Sequence, residues 1–118
     1  MSNELQAAAR LIGLLLFGQD WSPARKLRRD RVGGFVLSTV LTNDQGWETA
    51  VLGAGGAHPV QRYDSEDQAE EGHAAWMMRL QVPPTSVLQL GGLGGLVEDE
   101  EVVLKPMLED EAERLANA

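Results

Sequence analysis

The residues of this chain that could carry chemistry are two histidines, a run of arginines, four consecutive acids and a glycine cluster. Histidine titrates near neutrality, so it is the first place to look for acid–base or metal chemistry. His58 lies in a loop before a proline, and His73 lies on the inner side of an expected helix. No HxH, HxxxH or HExxH spacing occurs and there is no cysteine, so the usual zinc donor sets are not assembled. His73 therefore reads first as a core or boundary histidine. A small hydrolase or metal enzyme working through it is the third of three readings. The sequence also lacks a serine nucleophile elbow. Gly53–Gly56 has neither the lysine nor the following helix of a phosphate loop. Glu98, Asp99, Glu100 and Glu101 lack the alternating spacing of a calcium loop. No enzyme activity and no cofactor are expected. Glu48 and Arg62 are placed to form a cross-strand ion pair.

Arg25, Lys26, Arg28, Arg29 and Arg31 supply five of the ten basic residues within seven positions. Such a run fits a phosphate or an acidic protein surface, or a solvated connector. No aromatic residue interleaves with it, which argues against base stacking. The whole chain carries a net charge of −8, so nucleic acid is a weak candidate partner. With 118 residues, 43% apolar and 24% charged, the chain has the size and balance of one globular domain.

Elements must position these residues. Residues 1–18 are expected to form an N-terminal helix, with Ser2 as N-cap and Leu5, Ala8, Ala9, Ile12, Leu15 and Leu16 at helical spacing. Leu14 to Phe17 could contact a second chain. The run Leu11–Phe17 is too short to span a bilayer and has no cleavage site after it, so no membrane association is expected. Residues 19–34 read as a basic connector. Residues 35–80 read as the core. Period-two alternation gives a strand from Phe35, a turn at Asn43–Gly46 and a return strand from Trp47 to Leu52. A flexible loop at 53–57 then precedes a short third strand from Val60 to Tyr63. Ser65 and Gln68 form a capping box that opens a helix. Its inner face carries Ala69, Gly72, His73, Trp76, Met77 and Leu80. Gly72 marks a close approach of helix to sheet. Trp47, Tyr63, Ser65, Gly72, His73 and Trp76 are thus expected to be structural.

Pro83–Pro84 ends that helix. Residues 81–118 read as an apolar Gly/Leu arm with an acidic C-terminal helix, Pro106 standing in its first turn. Leu88, Leu90, Leu93 and Leu96 are separated by Gly91–Gly92 and Gly94–Gly95. They are expected to dock on another chain, and the arm to be mobile without it. The expected fold class is α+β: a small antiparallel sheet of two or three strands, a covering helix, an N-terminal helix and an extended C-terminal arm.

The strings WETAVLG and QRYDSEDQAEEGHAAW resemble a family of small uncharacterised proteins of tailed phages and prophages. The matching positions are Glu48, Thr49, Gly53, Arg62, Tyr63, Ser65, Ala69, Gly72 and His73. The resemblance covers about a third of the chain. It implies a phage origin and, by association, a virion structural or accessory protein: a capsid-cementing, neck or tail component. Its partners would be other phage structural proteins or copies of itself. The alternative is a small phage regulator or host-factor inhibitor acting in the host cytoplasm.

Overall fold

The computed structural model describes residues 25–43 and 45–118. The expected N-terminal helix and the start of the basic connector lie outside them. Four strands follow one another as an antiparallel meander: β1 Arg25–Val32, β2 Phe35–Leu41, β3 Trp47–Gly53 and β4 Gly56–Tyr63. Each turn has a local cause. Gly33 takes φ 61° between β1 and β2, and Gly46 takes φ 74° before β3, backbone that glycine adopts without a Cβ clash. Thr42 braces the second turn, its hydroxyl accepting from Gln45 N at 2.9 Å and donating to Gly46 O at 2.8 Å.

Helix α1, Glu66–Arg79, crosses one face of this sheet. Ser65 caps it, its hydroxyl accepting from Gln68 N at 3.2 Å. The Gln68 side chain reaches back to Asp64 N at 3.0 Å, one residue earlier than a reciprocal capping box requires. A second antiparallel pair follows: β5 Ser86–Gln89 and β6 Glu100–Val103, with a single turn of 3-10 helix at Leu93–Gly95 in its tip. Helix α2, Glu109–Ala116, covers the other face of the four-stranded sheet.

Two cores result. Under α1, Phe35, Leu37 and Val51 meet Trp76 and Leu80, joined by Val87 and Leu104 from the later segment. Under α2, Val36, Ala50, Leu52 and Ala57 meet Ala112, Met107 and Leu115. Covering both faces explains why β2 and β3 are buried almost end to end. Each fully buried Val or Leu contributes about 1.5–3 kcal/mol before ordering costs.

The chain passes from the first face to the second around the end of the sheet. This strap, Leu104–Met107, is hydrogen-bonded on both sides: Ala54 N donates to Lys105 O at 2.7 Å, and Met107 N donates to Gly34 O at 2.8 Å. Gly34 and Gly53 form the notch it runs through, because a Cβ on either would collide with a strap carbonyl.

Several expectations are corrected. The fold is mostly sheet, four strands plus a separate pair, and not a small two- or three-stranded sheet. The basic run is strand β1 and not a connector. Its alternation is disguised because both sets of side chains are charged: Arg28 and Asp30 point to the α1 face, Arg29 and Arg31 to the α2 face. The expected loop 53–57 is a two-residue turn at 54–55, and β4 begins at Gly56, four residues before the expected start. A bulge at Val60, opposite Thr49 and Ala50, hides its continuity. The arm is not extended. It supplies a hairpin, part of one core and the helix that closes the other. That helix begins at Glu109, after Pro106.

Candidate functional site

Under α1 a row of polar side chains runs across all four strands. Asp30 of β1 contacts His73 Nε2 through Oδ2 at 2.8 Å. His73 Nδ1 lies 2.7 Å from Thr39 Oγ1 of β2, and Thr39 Oγ1 lies 2.6 Å from Thr49 Oγ1 of β3. Tyr63 of β4 donates its hydroxyl to Thr49 at 3.0 Å. Arg28 closes the outer end, 3.4 Å from Asp30.

The proton positions in this row follow from its ends. An ionised carboxylate only accepts, so His73 Nε2–H donates to Asp30. Burial pushes the His73 pKa below its ordinary value, with the Asp30 hydrogen bond and charge opposing the shift. The ring is therefore neutral near pH 7, and its Nδ1 accepts from Thr39. Thr39 oxygen then accepts from Thr49, and Thr49 oxygen from Tyr63. Every hydroxyl points the same way. Burial raises the Tyr63 pKa, and the Thr49 hydrogen bond lowers it less.

An Asp–His–Thr order matches the roles of a nucleophilic triad. Here His73, Thr39 and Thr49 are each 0% exposed, so a substrate carbonyl has no path to the Thr39 oxygen. What the row does chemically is satisfy buried polar groups while fastening α1 to the sheet. Gly72 allows that approach: a Cβ there would overlap the Tyr63 ring. Trp76 adds a second tie, its indole N–H donating to Gln61 Oε1 at 2.8 Å, while Arg79 stacks 4.1 Å above its ring. Trp47, at the start of β3, is buried and pairs with Tyr63 across the strands. Glu48, fully buried, accepts from Arg62 Nε at 2.7 Å, and Arg62 Nη2 donates to Gly91 O at 2.6 Å. That pair ties β4 to the second hairpin.

The cations of β1 that face α2 are used within the chain. Lys26 Nζ donates to Ala118 O at 3.2 Å and Arg29 Nη1 to Leu115 O at 3.4 Å, at the negative end of the helix dipole. Arg31 meets Glu109 in the first turn at 3.2 Å. Burial lowers the pKa of Arg29. The backbone of Arg25 pairs with Leu41.

The leucines of the later segment divide. Leu90 is half-buried, and its N–H donates to Pro59 O at 2.8 Å. Leu88, Leu93 and Leu96 are exposed, Leu96 at 85%. With Val103 they make an apolar surface on the β5–β6 hairpin and its tip, beside the exposed acids 98–101.

Two recesses flank α1. A polar one of about 400 Å³ is lined by Gln61, Arg62, Tyr63, Gln68, Glu71 and Gly72. A more apolar one of about 500 Å³ lies between the β1–β2 turn and Leu80, Pro84, Leu104 and Pro106. Among the described residues no three His, Asp or Glu side chains converge as a metal site, and no helix is long and apolar enough to cross a membrane.

In the sequence Thr49 stands out only as a position of the resemblance, and Asp30 and Thr39 have no role. Counting outward from the Asn43–Gly46 turn pairs Thr39 with Thr49, so that contact was available. Asp30 was hidden as the one acid in a basic run. Comparison with family models, with curated proteins and with solved structures gives no match.

Proposed function

We propose that this chain is a non-enzymatic structural or accessory protein of a phage particle, acting through protein–protein contacts. The observation that carries the protein–protein part is the exposure of Leu88, Leu93, Leu96 and Val103 on one hairpin, rimmed by acids. An apolar patch with a polar rim is the anatomy of an interaction surface. The phage part rests on the resemblance at Glu48 to His73. Those residues lie at the β3–β4–α1 junction and serve its packing, which fits a shared scaffold. A catalytic reading gains no support from the His73 row, whose reactive oxygens are sealed.

The test is to induce the lysogen that encodes the chain and to assay gradient-purified particles for it by quantitative mass spectrometry. A fixed copy number per particle is expected. Abundance in the lysate with absence from particles would favour the regulator acting in the host cytoplasm.

A further inference from the structure

We propose that the open edge of β6 receives an extended, basic and aliphatic segment of a different protein as an added strand. This deepens the protein–protein reading above and rests on it.

The backbone is arranged for it. Leu104 N donates to Thr85 O at 2.9 Å, so hydrogen-bonded pairs fall at 104, 102 and 100 on this strand. Glu101 and Val103 therefore turn their N–H and C=O groups away from β5. Among the described residues no third strand continues this pair. Natural edges are usually blunted by charged side chains, above all lysine, by proline or by a covering element. The charges beside this edge are acids, which repel an acidic strand and admit a basic one.

The side chains beside that edge set the chemistry of the occupant. Leu88 stands opposite Glu101, and Val103 opposite Ser86, on the outward face of the hairpin. Leu88 is 55% and Val103 58% exposed. An incoming strand with aliphatic residues at alternate positions covers them, and basic residues between meet the acids 98–101. At the tip Leu93 holds φ 57°, the one positive φ outside glycine among the described residues. Backbone held in this region is a stored cost that concentrates at functional segments.

The occupant is not a second copy of this chain. Two β6 edges would bring two acid runs together. The basic strand of a second copy does not have its cations to offer either: Lys26, Arg28, Arg29 and Arg31 are engaged by Ala118, Asp30, Leu115 and Glu109 of their own chain. Nucleic acid is repelled by the same acids.

The experiment titrates the full chain with a capped nonapeptide of alternating lysine and valine at low salt, followed by backbone amide NMR. A control peptide carries proline at its centre and keeps the charge. Val103→Pro removes one outward N–H without removing a hydrogen bond of the hairpin. A triple variant, Glu98→Gln, Glu100→Gln, Glu101→Gln, removes charge alone. The largest shifts are expected at residues 101 and 103, with at least tenfold weaker binding for the proline peptide and for both variants. If Val103→Pro unfolds the protein, the triple variant and the proline peptide decide the matter. Equal affinity for the two peptides, or shifts spread over the acidic surface, overturns strand addition. A dimer of the free protein formed through this edge overturns the foreign partner. In both cases presence in purified particles still stands as the separate test of the protein–protein reading.

Discussion

His73 sits where one ring must stay neutral to keep a row of hydroxyls pointing one way. Its folded pKa lies below the ordinary 6.5, so the unfolded chain binds the extra proton first. The stability this group contributes is present above about pH 6.5 and is lost progressively as pH falls below it. Denaturant unfolding between pH 7.5 and 5 should show that slope, and His73→Gln should flatten it. Thr39→Val leaves His73 Nδ1 and Thr49 without their partner, and should cost about 1–3 kcal/mol in the same assay. Gly72→Ala opposes two effects. Helix propensity improves by about 1 kcal/mol, but overpacking against the Tyr63 ring costs about 1–3 kcal/mol. The ring is held through its hydroxyl, so a net loss of melting temperature is expected. The helix face bearing Gly72, His73 and Trp76 was legible because helical spacing needs only the local sequence. The partners of His73 were not, because they come from three strands whose pairing the helix does not encode.

The same contrast governs whole elements. The hairpin of β2 and β3 could be read from alternation and one turn. Strand β1 could not, because an edge strand that meets α1 on one face and α2 on the other through charged side chains carries no polarity alternation. The order of the later segment is hidden for a related reason. Its glycines suggested freedom, whereas Gly91 lies tight against Val97 and Glu98 and Val87 and Leu104 enter the core. A chain ending at Pro84 loses that core contribution and α2, and should therefore lose its cooperative melting transition in calorimetry. The strap gives a finer test. Gly53→Ala places a Cβ against Lys105 O and disturbs the Ala54–Lys105 hydrogen bond. A loss of about 1–3 kcal/mol is expected, together with faster exchange of α2 amides.

At the scale of the molecule, a sheet covered on both faces should have a two-tier stability. Amides in the middle of β2 and β3 are expected to exchange only through global unfolding, and those of the β5–β6 hairpin through local opening. Native-state hydrogen exchange with stepped denaturant distinguishes the tiers, and a single common opening energy would contradict this.

The polar row across the four strands has a consequence for fidelity. Side chains alternate along a strand, so slipping any pair by one residue turns one member of the row to the wrong side of the sheet. Arg29 or Arg31 would stand in for Asp30, Ser38 or Val40 for Thr39, and Glu48 or Ala50 for Thr49. A mispaired sheet would leave the buried His73 ring without its hydrogen-bond partners. The row thus works as a checksum on strand pairing, rejecting in one place errors that the many interchangeable aliphatic contacts around it would tolerate.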